Sequence, residues 1–386
     1  MRPAILFLAS YFKSTAIVEQ AHDLGYAAVL LSREELRERP WPQLEGALFL
    51  PQLDQPEVTV QAAGVLARDW NIRFVFPLDE EDVEGAARIR EHLCLAGPGL
   101  TVAHNFRDKL TMRARARQGR LCVPEFVHLF NRAQIEHFTQ KVSPDWVLKP
   151  RSKAGTKGIQ KISSGPELAQ ALEELGDQSG FYLVEKEVEG DVFHLDSVVF
   201  RGQPRFVQAH RYGTPPFEIC NSGGVFSTQS LDSQDADLPE LLDFNSRVIQ
   251  CLQLVEGITH IEFIRCPQSG RLFFLEAAAR VGGANIDILV QETTGINLWR
   301  EWIRVEAAAA ESKDYQLAEC RRRHGGMLTC LTKMEHPDMS PYDAPEVKWK
   351  LNQPYLAGMV IVSEHKSKVD ELMRRYQDQL LGLVAH

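Results

Sequence analysis

Several features that would assign this chain quickly are missing. There is no Cys-x-x-Cys pair, and the seven cysteines lie scattered along the sequence. A zinc site or a disulfide framework is therefore not expected, and a reduced cytoplasm is the default compartment. No apolar run is long enough to span a bilayer, so no membrane partner is expected. The opening MRPAILFLASYF carries one Arg and a short apolar run, but no small-residue cleavage site precedes Lys13. It reads better as a first buried strand than as a signal peptide. Basic excess is absent too: the net charge is −9, which argues against a general nucleic-acid binder. Neither GxGxxG after the first strand nor GxxxxGK[ST] anywhere is found, so nothing points to a dinucleotide fold or a Walker A loop. Internal repeats are missing, and the only biased tract is the helix-favouring Ala307–Ala310.

What is present begins with size. A chain of 386 residues suggests two or three domains. In the first hundred residues strand and helix alternate. Strands are expected at 4–9, 27–31, 47–50 and 72–76, and helices at 14–24 and 58–70. That alternation predicts a parallel α/β sheet. Ligands gather at strand ends in such sheets, so the loop 10–14 and the acidic turn Asp79-Glu80-Glu81-Asp82 are candidates for contact. The competing reading is that these acids cap the next helix. Gly97-Pro98-Gly99 makes a plausible domain end. A basic helix follows within 105–126, with Arg107, Lys109, Arg113, Arg115, Arg117 and Arg120, and is expected to be a solvated face.

The strongest stretch is HIEFIRCPQSGRLFFLEAAARVGGANI, residues 260–286. It predicts two strands joined at Pro267, Ser269 and Gly270, then a glycine-rich loop. A hairpin symmetric about Ser269 sets Glu262 directly opposite Glu276 on one face. Two such carboxylates repel unless they share a proton or a cation, or stay separated by solvent. A hard cation with phosphate oxygens resolves the conflict. Arg280, Gly282 and Gly283 follow at once and place a cation and exposed N–H groups beside the pair.

A second stretch, WVLKPRSKAGTKGIQKI (146–162), reads as strand, cationic glycine loop and return strand. Its N–H groups can wrap phosphates while Lys149 supplies a fixed charge, although a mobile surface loop has the same composition. Residues 181–200 give two more strands around Glu185-Lys186-Glu187-Val188, and extended backbone there can meet the edge of a flat base. HRYGTPP (210–216) and NSGGVFSTQ (221–229) read as polar loops, either substrate loops or ordinary connections. Helices are expected over 238–254 and 298–311, strands at 326–332, 346–350 and 357–362, and an amphipathic helix over 366–381.

In this order the elements resemble the ATP-grasp superfamily of carboxylate–amine ligases, over roughly residues 1–310. The resemblance implies an α/β (α+β grasp) fold. Residues 1–104 would form a pre-ATP-grasp α/β domain, 105–188 the small lid subdomain, 189–312 the C-terminal subdomain with the metal site, and 313–386 an α/β extension. It assigns Lys109 (after Asp108) and Lys149 to the nucleotide phosphates, and Ser152, Gly155, Thr156 and Gly158 to the lid. It gives Glu185, Lys186 and Val188 to the adenine hinge and Glu262 and Glu276 to the metal. Arg280 and Lys149 become catalytic, with Arg280, Gly282, Gly283 and Asn285 around the substrate and His210, Arg211 and Tyr212 as further contacts. Two departures stand out. The family's metal-binding Asn falls at Ala278, and its ribose-binding acid falls at Val192, which leaves Asp191, Asp196 or His194 for the ribose.

The implied cofactors are ATP and Mg²⁺, with Mn²⁺ as the alternative cation. The implied reaction phosphorylates a carboxylate to an acyl phosphate, which an amine then displaces, releasing ADP and phosphate. The region around Gly223-Gly224 and the HIEF and EAAAR strands is similar to the L-amino-acid ligases and related peptide- and amide-forming enzymes. Small carboxylate and amine substrates are therefore expected, with a carrier-bound acid left open and a homodimer compatible. A biotin-carboxylase-like or purine-pathway ligase and a non-catalytic ATP-binding protein remain as alternatives.

Overall fold

The computed structural model describes residues 2–351 and 353–384, with the side chains of 220–222 outside that description. Three sheets carry it. The first holds four parallel strands in the order β3-β2-β1-β4, where β1 is Pro3–Ala9, β2 Ala27–Arg33, β3 Gly46–Leu50 and β4 Asn71–Pro77. β1 explains the arrangement. Ile5, Phe7 and Ala9 enter one core, and Ala4, Leu6 and Leu8 enter another. A strand apolar on both faces needs cover on both, which favours a parallel sheet between helices. Helices Pro56–Leu66 and Val83–His92 cover one side. The other side receives Ala16–Asp23 and, from far along the chain, Leu298–Ala310, whose Trp302 meets Phe76 edge-on at 5.6 Å.

A small antiparallel sheet follows, in the order β5-β8-β6-β7. Its strands are β5 Phe126–His128, β6 Trp146–Pro150, β7 Gln160–Ile162 and β8 Tyr182–Lys186. Trp146, Leu148 and Ile162 pack there with Phe138 and Leu168, from helices Arg132–Lys141 and Gly165–Leu175.

The third sheet is antiparallel throughout, with eight strands in the order β13-β12-β9-β10-β11-β14-β16-β15. β9 is Asp191–Phe200, β10 Gln203–Tyr212, β11 Phe226–Ser230, β12 Gly257–Arg265 and β13 Leu272–Ala278. β14 His324–Leu331, β15 Val347–Lys350 and β16 Leu356–Ser363 continue the sheet at its far end. Behind it, Phe193, Leu195, Ile261 and Phe263 pack on Met112, Leu241 and Val248 of helices Lys109–Gln118 and Leu238–Leu252. In front, Val198, Phe200 and Ile258 join the core shared with the first sheet.

Three expectations need correction. Residues 210–212 and 226–229 are strand, not loop, and helix Pro216–Ser222 lies between them. β10 is paired on both sides, so its His210 and Arg211 sit inside a sheet and hide the alternation that sequence reading needs. The side chains of Asn221 and Ser222, part of the second expected loop, lie outside the described residues. The helix expected over 58–70 ends at Leu66, because Trp70 turns the chain into β4. The basic helix is not simply a solvated face, since Lys109 and Arg113 are buried.

Candidate active site

Glu262 and Glu276 are register partners on β12 and β13. The hairpin reaches that pairing through a bulge: Phe263 faces Phe274 and Glu262 faces Glu276, so Leu275 is the extra residue. Without the bulge Glu262 would face Leu275. Each carboxylate already has one partner. Glu276 Oε1 lies 2.7 Å from Lys109 Nζ, which also donates to Lys153 O at 2.8 Å. Glu262 Oε1 accepts from Tyr212 Oη at 2.9 Å, with His260 Nε2 3.7 Å away. Burial pushes the Glu262 carboxyl up, but His260 and Tyr212 outweigh it and hold it below its ordinary value.

These carboxylates line a cavity of about 460 Å³ between the small sheet and the large one. Lys109, Lys149, Thr156, Lys186 and Val188 line it as well. Val192, Ile264 and Leu275 give it an apolar wall, and Phe217 stands at the edge. Among the described residues nothing accepts the Val188 N–H, which leaves a backbone donor beside the cavity. A larger open groove of about 1120 Å³, lined by Asp108, Arg151 and Ser152, lies outside these carboxylates and carries none of their chemistry.

Lys149 and Arg113 both pair with Glu185, Arg113 through Nε–Oε2 at 2.9 Å and Nη2–Oε1 at 3.3 Å. All three are buried. Burial lowers the Lys149 ammonium to about 8, with Arg113 and Lys109 adding to the effect and Glu185 opposing it. The Glu185 carboxylate is thus committed to the protein, and its backbone lies inside the small sheet between Phe126 of β5 and Val147 of β6. Arg113 was missed in the sequence because its partner lies 72 residues away.

The glycine loop crosses the cavity mouth. Thr156 reaches the cavity, whereas the Ser152 carbonyl accepts from Arg107 Nη2 at 2.7 Å. Gly155, Thr156 and Gly158 have φ of +68°, +61° and +77°, so the tight turn uses the left-handed region where glycine is favoured.

Arg280 is braced by Glu80, its Nε 3.1 Å from Oε2, and Arg107 pairs with the same carboxylate. Burial raises the Glu80 carboxyl, yet Arg280 and Arg107 bring it down to about 2. The acidic turn therefore divides its work. Asp79 caps the Glu81 N–H at 3.2 Å, and Asp82 accepts from the Ser10 N–H and hydroxyl at 2.9 and 2.6 Å. Glu80 meets the site. Its position at the C-terminal end of a parallel strand was the available signal. Beyond Arg280, Gly282 is packed down: a Cβ there would stand 2.8 Å from Asp196 Oδ1 and 3.0 Å from His260 Nδ1. Gly283 and Asn285 are less covered, and Asn285 leads into helix Ile286–Thr294.

Four expected contacts are not in reach. His194 is fully buried, with Nδ1 on Asp196 at 3.1 Å and Nε2 on Thr228 at 2.8 Å, so it does not meet a ribose. Asp196 is equally buried. His210 stacks on His194 at 4.6 Å beneath the sheet surface, closed to a substrate. Arg211 points to the opposite face, over Phe193 and towards Asp235 and Asp237 at 3.3 and 3.5 Å. Alternation along β9 and β10 separates these faces, and spacing alone did not say which one fronts the cleft. Asp191 remains exposed at the start of β9.

No family model matches the chain. It is 24% identical over 233 residues to an L-arginine-specific L-amino acid ligase of Bacillus subtilis, a match spanning 58% of this chain and 55% of that protein. The chain thus spans about half the length of this curated relative. Among solved structures it is similar to an L-amino acid ligase from Bacillus licheniformis, with TM-score 0.77, 19% identity and 98% of each chain covered. An ADP complex of N5-carboxyaminoimidazole synthetase from Staphylococcus aureus aligns with TM-score 0.72 at 13% identity, over 97% of each chain. The biotin carboxylase domain of Hydrogenobacter thermophilus 2-oxoglutarate carboxylase, with MgADP and bicarbonate, aligns with TM-score 0.71 at 16% identity, over 96% of this chain and 88% of that one.

Proposed function

We propose, from the ATP-grasp fold this chain shares with those structures, that it is an ADP-forming ligase joining a small carboxylate to an amine. The observation that carries the reading is the convergence on one cleft of an opposed carboxylate pair, Glu262 and Glu276, and two cations, Lys109 and Lys149, with Arg280 on Glu80 near enough to feel the Glu276 charge. Phosphoryl transfer needs charge neutralisation and in-line placement more than a covalent nucleophile. The two carboxylates suit a divalent cation, since among the described residues each keeps an oxygen that bonds to nothing in the protein. Such a cation neutralises the transferring phosphoryl group.

The protein groups divide the rest. Lys149 and Lys109 face the phosphates, and the Val188 N–H meets the base. The loop 152–158 closes over the mouth and keeps water from the acyl phosphate. A carboxylate oxygen of the acid attacks the γ-phosphorus, the β–γ bridge breaks, and ADP leaves with the electron pair. Arg280, held in place by Glu80, steadies the acyl phosphate. The amine then attacks the acyl carbon, phosphate departs, and the amine proton passes to solvent.

An amino acid is the favoured acid, supported by the two L-amino acid ligases above. Ala278 favours a second reading, a nucleotide binder without turnover. Nucleotide turnover with Mg²⁺ across amino acids, singly and in pairs, with mass spectrometry of products, separates them. ADP and phosphate formed only with a particular pair supports ligation. ATP bound without turnover for any acid supports the binder, and AMP with pyrophosphate refutes the proposed chemistry.

A further inference from the structure

The hydroxyl that holds Glu262 comes from across the sheet. Tyr212 ends β10, and β9 stands between β10 and β12. Neighbouring strands lie about 5 Å apart, so the two side chains together span about 10 Å of sheet. Tyr212 Oη then meets Glu262 Oε1 at 2.9 Å. A serine or threonine hydroxyl on β10 could not reach that far. The phenol ring is fixed by its neighbours. It lies 4.6 Å from the His194 ring, tilted by 33°, and meets Phe226 edge-on at 5.5 Å. Val192 and Ile264 pack with it as well. His194 is pinned in turn, through Nδ1 to Asp196 and Nε2 to Thr228, and Asp196 also accepts from His260 Nδ1 at 2.9 Å. Tyr212, His194 and Asp196 are all buried.

This network supports the carboxylate pair without joining it. Glu262 and Glu276 line the cavity, whereas Tyr212, His194, Asp196 and His260 do not. A buried phenol needs a hydrogen-bond partner. Here the partner is a carboxylate that faces the cavity, so one oxygen is taken and Oε2 is left for a ligand. Glu276 is treated alike, its Oε1 held by Lys109 at 2.7 Å. Outer hydrogen bonds of this kind orient the carboxylates that bind a metal. We propose that Tyr212 is a positioning residue for the divalent cation, its hydroxyl fixing Glu262 with Oε2 left for the metal, and that the His194–Asp196 pair is the platform that fixes its ring. The proposal rests on the nucleotide-site reading above. It places the effect of Tyr212 on metal affinity, not on the phosphoryl-transfer step.

Calorimetry of ADP binding to the full chain at a series of Mg²⁺ concentrations tests this. Tyr212→Phe keeps the ring and its packing and removes only the hydroxyl. In that variant the Mg²⁺ concentration that gives half of the tightening in ADP affinity rises about tenfold or more. The half-saturating Mg²⁺ in turnover rises by the same factor, while kcat at saturating Mg²⁺ returns to that of the unaltered chain. Arg211→Ala, one residue away on the opposite face, leaves the Mg²⁺ dependence unchanged. An unchanged Mg²⁺ dependence in Tyr212→Phe, a kcat that excess Mg²⁺ does not restore, or an equal shift in Arg211→Ala overturns the positioning role and leaves the ligase reading intact. No Mg²⁺-dependent ADP binding by the unaltered chain overturns both.

Discussion

Removing the charge of Glu185 exposes how the nucleotide-facing lysine is held. Arg113 is 0% exposed and Lys149 4% exposed, and both depend on this carboxylate. Glu185→Gln keeps the shape but leaves two buried cations facing a neutral amide that satisfies only one of them. Breaking a buried ion pair from one side costs about 3–5 kcal/mol, because the remaining charge stays desolvated. Lys149 is already lowered to about 8 in the intact protein, so in the variant it sheds its proton more readily. The sign follows from linkage. A lysine whose folded pKa is depressed destabilises most where it is protonated, so the loss is greatest at acid and neutral pH and eases as pH rises. Urea unfolding followed by fluorescence reports the change, since Trp146 is buried on β6, the strand that carries Lys149. Glu185→Gln with Lys149→Met should recover part of the loss, because one orphaned cation is gone. A loss below about 1 kcal/mol for the single variant, or no recovery in the double one, would refute the assignment of a charge-coupled triad.

Other expectations follow from the same geometry. Glu276→Gln abolishes turnover while ATP binding persists in part, as calorimetry with and without Mg²⁺ would read; full activity in that variant sinks the metal assignment. Nucleotide affinity falls as pH rises through about 8, since Lys149 then loses the charge that meets the phosphates, and calorimetric titration between acid and alkaline buffers checks it. Glu80→Ala frees the Arg280 guanidinium and lowers kcat about 10²-fold through misplacement, with stability tracked separately by urea unfolding. Arg211→Ala leaves KM for both substrates unchanged and costs under about 1 kcal/mol, because its ion pairs are partly exposed on the opposite face.

Sequence reading went furthest where chemistry and local pattern coincide. The Glu262–Glu276 pair could be read from hairpin spacing, although the bulge at Leu275 means that the turn centre and the pair are offset by half a residue. The terminal helix Lys366–Leu381 matched its expected limits because its amphipathic stripe is unbroken. Partners far apart in the chain stayed hidden. Glu80 meets Arg280 across 200 residues, and Asp196 meets His260 across 64, so neither leaves a local signature. His194, His210 and Arg211 misled for the opposite reason. His194 was marked by its place beside Val192, and His210 and Arg211 by a polar stretch that reads as a loop, yet all three lie inside doubly paired strands. Which face of β9 and β10 fronts the cleft depends on how the large sheet packs, with helices Lys109–Gln118 and Leu238–Leu252 behind it.

The central claim is that an oxygen of the substrate carboxylate is passed to phosphate. An amino acid carrying ¹⁸O in its carboxylate, turned over with ATP and the accepting amine, reads that transfer by mass spectrometry of the released phosphate. The account predicts one ¹⁸O in the phosphate per bond formed and none in the nucleotide. Label appearing in AMP, or phosphate released without label, would contradict it.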